Sequence, residues 1–333
     1  MRRNREEVVE HLIDVVVGVM DGSIETPREV ARHYIGLFPE YLWENPDILR
    51  ELPHLPRAIK DWSRRALLPV IDNDDTIDSV VQKNCHNHVV VGLHGYMELG
   101  THFGPLYERI LDRYGVGFCP LEYPSLRPIK KCAAYIGREI NKLLDRTDVD
   151  ITIVGHSLGC LVALGAYYSD RIKDRNRVNA LVLLGGPHSG TYQAVHGFGK
   201  SMEELRRGSD LLQDWMAKYP TLSDGHKLWI VYSPQDSLVA PEDCYLPVRD
   251  AHYLSLNEMG VSGHTSHLGF LYRREIVHAV GNLVRSGELI VPDDMPLPVG
   301  RVRPLVMRTL RHPSYTNGVS KRELVANLFG INL

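Results

Sequence analysis

Ile151-Thr152-Ile153-Val154-Gly155-His156-Ser157-Leu158-Gly159-Cys160-Leu161-Val162-Ala163-Leu164 is the stretch on which the fold turns. Its first four residues favour an extended chain, and an apolar run follows Leu158, so a short buried strand passes into a helix within a few residues. The spacing Gly-x-Ser-x-Gly suits that turn: the serine takes a strained backbone conformation, and the glycines leave room for close packing of helix on strand. The Ser157 hydroxyl is thereby held above the sheet edge at a helix N-terminus, where amide dipoles stabilise developing negative charge. By itself the pattern is weak, and an ordinary strand-to-helix turn can carry it; the two flanks give it weight.

Outward from this turn the same texture repeats. Apolar runs at His88 to Leu93, Val116 to Leu121, Ile151 to Val154, Ala180 to Leu184, Leu228 to Tyr232 and Tyr253 to Leu256 read as buried strands. Helical patterns lie between them at about 103–114, 129–145, 158–169 and 201–218, and another follows at 268–285. Strands alternating with helices at this spacing predict a mainly parallel sheet with helices on both faces, occupying 85–290. Residues 1–84 read as a helical extension. Val8, Val9, Leu12, Ile13, Val16, Val19 and Met20 recur at helical spacing, and Thr26-Pro27-Arg28-Glu29 is a helix start. The acidic segment Asp72-Asn73-Asp74-Asp75 reads as a solvated turn at the junction, because a calcium loop needs a glycine and a distal glutamate that are missing. Residues 291–333 form a proline-rich stretch, Val291 to Pro304, and a tail with a capping box at Ser320-Lys321-Arg322-Glu323.

Composition bounds the function. The 333 residues carry 38 Lys+Arg against 41 Asp+Glu, a net charge of −3, with 44% apolar and 24% charged residues. These values exclude wholesale disorder, collagen and a coiled-coil rod, and they leave no electrostatic footprint for nucleic acid. Five widely spaced cysteines argue against a disulfide framework. The segment from Leu12 to Met20, preceded by Glu6, Glu7 and Glu10 and interrupted by Asp14, matches neither a signal peptide nor a membrane span; Arg2-Arg3 leads into acidic rather than apolar sequence. A cytoplasmic protein is the expectation.

Three further features complete a chemistry around Ser157. The strand Val89 to Leu93 ends in His94-Gly95-Tyr96, a turn suited to one half of an oxyanion hole. The amides of Tyr96 and Leu158 are the candidate donors. A serine nucleophile needs a base and an acid that orients it, expected in the order Ser, Asp or Glu, His. Asp236 lies just past the strand Leu228 to Tyr232 and is better placed than Asp243 or Asp250. Two histidines follow the last strand, His264 and His267; His267, immediately before a helical run, is preferred, with His264 as the alternative base. Cys85-His86-Asn87-His88 offers at most two or three ligands on one short strand without a distant partner, so no metal is expected.

At these residues the chain resembles the lipase and esterase branch of the α/β-hydrolase superfamily, particularly small bacterial triacylglycerol lipases. The resemblance runs from about His88 to Arg285. It rests on His94-Gly95, the Gly155 to Gly159 elbow, Leu183-Leu184-Gly185-Gly186-Pro187-His188-Ser189-Gly190-Thr191, Asp236, and His267-Leu268-Gly269-Phe270-Leu271. It implies an α/β-hydrolase fold, Ser157 as nucleophile, His267 as base then acid, Asp236 as orienting carboxylate, and a cofactor-free acyl-enzyme reaction on a hydrophobic ester. A thioesterase or acyltransferase would use the same triad, and a binding module would keep the fold without catalysis. Lipases of this type build a lid or acyl-binding wall where this chain has its insertion, about 190–225. Met202, Leu205, Leu211, Leu212, Trp215 and Met216 recur there at helical spacing, broken near Gly208, either as a cap over an acyl pocket or as packing on the sheet. The extension 1–84 has no counterpart in the small lipases; a further cap, a docking site for a protein partner and peripheral membrane contact are its open readings.

Overall fold

Six strands, β1 (His88–Leu93), β2 (Gly117–Leu121), β3 (Asp150–His156), β4 (Val178–Leu184), β5 (Leu228–Tyr232) and β6 (His252–Ser255), form one sheet in the order β2-β1-β3-β4-β5-β6. Every neighbouring pair is parallel. The computed structural model describes residues 73–292 apart from 84–86, 99, 101–102, 196, 198, 223 and 262–264. The helices expected in 1–72, the proline-rich stretch beyond 292, the capping box at 320–323, Cys85, His86 and His264 lie outside the described residues.

Side chains alternate across the sheet and split the core in two. Val89, Val91 and Leu93 of β1, Ile151 and Ile153 of β3, and Leu181 and Leu183 of β4 pack with α3 (Ile129–Asp145) and α4 (Leu158–Tyr168). Val90, Val154, Val182 and Leu184 face the other way, toward α2 (Gly104–Asp112) and α7 (Arg274–Ser286). With both faces covered, the interior strands read as continuous apolar runs rather than alternating ones. From Leu158 to Tyr167, α4 is buried on every side, which is why its sequence shows no polar stripe. The crossovers leave β1 in opposite directions, to β2 on one side and back to β3 on the other. Ligand crevices form at such a switch point, outside the carboxyl ends of the strands.

All six expected strands are present with ends within two residues of those read from sequence, and α3 has the expected bounds. The pattern at 201–218 divides at Gly208 (φ +75°) into α5 (Lys200–Glu204) and α6 (Asp210–Lys218), with Ser209 Oγ capping α6 through the Leu212 amide. The acidic segment corrects the sequence reading: Asp74 and Asp75 open a helix, α1 (Asp74–Lys83), rather than a turn. Carboxylates suit a helix N-terminus, and Ile77, Val80 and Val81 supply its apolar face against the core. Asn73 anchors it, its side chain exchanging hydrogen bonds with the Glu122 backbone at 2.8 and 3.0 Å. Among the described residues no helix is long and apolar enough to cross a membrane.

The insertion's apolar stripe packs inward. Met202, Leu205, Leu211 and Leu212 are buried with the α3 and α4 side of the core, and Trp215 lies so close to Gly165 that a Cβ there would sit 3.0 Å from its ring. Of the two readings of the stripe, packing on the sheet domain is the observed one. Among the described residues of the insertion, Tyr192 (68%) and Val195 (56%) are exposed large apolar side chains.

Candidate active site

The turn from β3 into α4 holds Ser157 at φ +54°, ψ −121°, a conformation L-residues rarely adopt. The Ser157 amide donates to Leu184 O and its carbonyl accepts from the Cys160 amide, both at 3.0 Å. Both motif glycines are sterically required. A Cβ on Gly155 would lie 2.8 Å from the Gly159 and Cys160 backbone, and one on Gly159 would lie 2.2 Å from Leu93 O and 2.6 Å from His94 O. The N-terminus of α4 thus rests directly on the end of β1, bringing Ser157-Leu158 beside His94-Gly95. Leu158 opens the helix, so its amide has no intrahelical acceptor.

Asp236 and His267 meet as the sequence order predicts. His267 Nδ1 lies 2.7 Å from Asp236 Oδ2, with the two side chains 4% and 1% exposed. The other carboxylate oxygen accepts the amides of Leu238 and Val239, each at 2.9 Å. An ionised carboxylate only accepts, so beside one a neutral imidazole carries its proton on Nδ1 and leaves Nε2 unprotonated, able to accept a proton. Gly185, just past β4 at φ +58°, leaves the space: a Cβ there would stand 3.2 Å from Asp236 Oδ2 and 3.4 Å from His267 Nδ1. The segment before His267 is tied to the end of β5 by Ser233 Oγ donating to Thr265 O at 2.6 Å. Asp243 instead pairs with Arg207, and Asp250 sits in an exposed turn.

The His94-Gly95-Tyr96 turn is braced from below. Buried His94 stacks on Tyr123 with centroids 4.3 Å apart, and the Tyr123 hydroxyl donates to His94 O. The Gly95 amide donates to Glu98 Oε2 at 2.6 Å, and the amide expected from the sequence as oxyanion donor, that of Tyr96, is the next along the turn. The same Glu98 oxygen meets His156 Nδ1 at 3.0 Å, and His156 Nε2 meets His267 O at 3.1 Å. Sequence reasoning assigned no role to Glu98, His156 or Tyr123; the available signal was a histidine in the variable position before the elbow serine. Among the described residues no group of three or more His, Cys, Asp or Glu is placed to hold a metal ion. His88 contacts Thr152 Oγ1 at 3.0 Å.

Two titrating groups lie in the loops beside the site. Burial pushes the Asp243 carboxyl up to about 6 against the pull of the Arg207 guanidinium. Burial lowers the His188 imidazole to about 4, its Nδ1 facing Cys244 O and its Nε2 without a hydrogen-bond partner. Asp243 therefore favours the folded state below its ordinary 3.8 and loses that contribution as pH rises through about 6. His188 favours it above 6.5 and loses that contribution as pH falls toward about 4. The two slopes oppose each other in the wild type. Asp243→Asn leaves the His188 slope exposed, so the melting temperature is expected to fall more steeply than wild type on acidification across this window. Thermal melts at stepped pH check this, and parallel profiles would show that Asp243 does not carry the slope.

Neither a protein-family model nor a curated protein sequence matches the chain. Solved structures do. Lipase B of Aspergillus fumigatus aligns over 79% of this chain and 68% of its own, with TM-score 0.51 and 15% identity. Lipase BlEst2 of Bacillus licheniformis in mature form aligns over 55% and 85%, with TM-score 0.44 and 13% identity. Phospholipase PlaB of Legionella pneumophila aligns over 44% of this chain and 39% of its own, with TM-score 0.37 and 13% identity. The parallel sheet, its strand order and the likeness to lipase B define the class: this chain has the α/β-hydrolase fold.

Proposed function

We propose that the protein is a serine hydrolase that cleaves carboxylic esters of hydrophobic acyl groups. The observation that carries this reading is the buried Asp236-His267 pair at 2.7 Å, on loops following β5 and β6, with the His267 carbonyl in contact with His156, the residue before the strained Ser157. In the proposed reaction His267 Nε2 takes the Ser157 proton as Oγ attacks the ester carbonyl. Asp236 holds the imidazole in the required tautomer and stabilises the imidazolium. The amides of Tyr96 and Leu158 receive the oxyanion. His267 then protonates the departing alkoxide, and water, activated by the same imidazole, releases the acid from the acyl-enzyme.

Support for a hydrophobic acyl group comes from the segment joined to the loop after Asp236. Thr191 Oγ1 donates to Leu238 O at 2.7 Å and Gln193 Nε2 to Ser237 O at 3.3 Å, tying the exposed Tyr192 and Val195 to the segment just after Asp236. Exposed apolar side chains tied to the segment beside the orienting carboxylate favour a lipid-like substrate over a sugar or peptide. The test is labelling of Ser157 by a fluorophosphonate, followed by kcat/KM on p-nitrophenyl esters of graded chain length beside acyl thioesters. The expected result is labelling, with turnover rising from acetate to longer esters. Absent labelling favours a binding module, and turnover confined to thioesters overturns the ester reading.

A further inference from the structure

Glu98 and His156 are nearly sealed from solvent, with side chains 5% and 0% exposed. They form one chain of contacts across three parts of the site. Gly95 N–H meets Glu98 Oε2 at 2.6 Å, Oε2 meets His156 Nδ1 at 3.0 Å, and His156 Nε2 meets the His267 carbonyl at 3.1 Å. Gly95 belongs to the turn that carries the Tyr96 amide, His156 precedes Ser157, and His267 is the proposed base. Contacts around the chain fix it further. A Cβ on Gly95 would lie 2.9 Å from the Glu98 carboxylate, and the His156 ring lies 4.7 Å from that of His267 and 6.3 Å from that of Phe270.

Hydrogen-bond arithmetic makes the pairing specific. The His267 carbonyl only accepts, so His156 Nε2 must carry a proton. The Nδ1···Oε2 contact then needs a second proton, on the imidazole or on the carboxyl. A carboxylate and an imidazolium, or a carboxylic acid and a neutral imidazole, satisfy this equally, and in either form Oε2 still accepts the Gly95 amide. A glutamine cannot do all three. Its oxygen accepts from Gly95 but brings no proton toward Nδ1 and no charge to hold one there, and its NH2 group opposes the Gly95 N–H.

We propose that Glu98 and His156 act as a positioning couple that locks the oxyanion turn and the His267 backbone to the nucleophile elbow. The hydrogen bonds by which the couple grips the site go to the backbone of Gly95 and His267 rather than to reacting atoms. It sets the relative placement of groups on β1, β3 and the loop after β6, and displacement of about 1 Å in such groups costs on the order of 100-fold in rate. This inference rests on the hydrolase reading above, and wild-type activity tests that reading separately.

The experiment compares wild type, Glu98→Gln, Glu98→Ala, His156→Gln and the double Glu98→Gln/His156→Gln on one p-nitrophenyl ester. Each kcat is expressed per Ser157 labelled by fluorophosphonate at completion, so a smaller folded fraction does not register. The expected result is a kcat loss of roughly 100-fold for Glu98→Ala and roughly 10-fold for Glu98→Gln, with KM within about threefold. The double variant is expected to lose no more than the worse single, as residues acting as one unit do. Unchanged kcat in Glu98→Gln, or losses that multiply in the double variant, overturn the couple while leaving an active wild type and its hydrolase reading in place. A wild type that neither labels nor turns over ester overturns the hydrolase reading and this inference together.

Discussion

Ser157→Ala, His267→Ala and the double variant are expected to fall to one common residual rate on a p-nitrophenyl ester, about 10⁴- to 10⁶-fold below wild type. The reason is that in the proposed reaction the hydroxyl and the imidazole make one nucleophile: with either missing, the other has nothing to activate. Asp236→Asn is expected to lose about 10⁴-fold, the magnitude known for the equivalent change in the serine-protease triad, because an amide no longer holds the proton on Nδ1. His264→Ala is expected to keep at least about a third of wild-type kcat, whereas a loss as large as that of His267→Ala would show that the base is misassigned. Ser157 also stores strain, since it holds φ +54° with a Cβ. Ser157→Gly should therefore be inactive and more stable, by about 1 kcal/mol, which is about 2–4 °C in melting temperature for a domain of this size. Losses that multiply in the double variant would place Ser157 and His267 in separate roles. A Ser157→Gly protein that melts below wild type would remove the strain argument.

How far the sequence reaches is seen by comparing particular residues. The elbow was legible because Gly155 and Gly159 are demanded by contacts within a few residues and by a neighbouring strand, and strand, glycine and helix signals all agree there. Asp236 and His267 were legible through order and position after strands, but the choice of His267 over His264 rested on its nearness to a helical run. The structure pairs His267 with Asp236. Glu98 was not legible, because its meaning comes from His156, 58 positions away in sequence, and no local pattern announces a buried carboxylate. The start of the sheet unit was misread for a related reason. Asp74 and Asp75 have the composition of a turn, and it takes Ile77, Val80 and Val81 meeting the core to make them the first turn of α1. The stripe in the insertion showed its period correctly but not its partner, since periodicity identifies an apolar face without saying what covers it.

Gly159→Ala is expected to combine a large loss of stability with a loss of activity. The added carbon would lie 2.2 Å from Leu93 O, 2.6 Å from His94 O and 2.8 Å from Leu93 C. Those atoms are backbone at the end of β1, held by parallel pairing to β2 and β3, so no side chain can swing aside to make room. Either α4 retreats or the strand end moves. Overpacking of this kind costs about 3 kcal/mol or more, equivalent to roughly 6–12 °C in melting temperature. Activity should suffer beyond the stability loss, because the displaced contact is the one that brings the Leu158 amide, an oxyanion donor in the proposed reaction, beside the His94-Gly95-Tyr96 turn, and such a donor out of place costs about 10²- to 10³-fold in kcat. Gly115→Ala is the control. Gly115 also has a positive φ, +69°, but nothing lies within 4 Å of the added carbon, so the variant bears only backbone strain of about 1–2 kcal/mol and should keep its kcat. Thermal melts and kcat per labelled Ser157 for the two variants separate close contact from backbone strain. Equal melting temperatures and equal kcat would show that α4 and β1 do not meet at Gly159 as described.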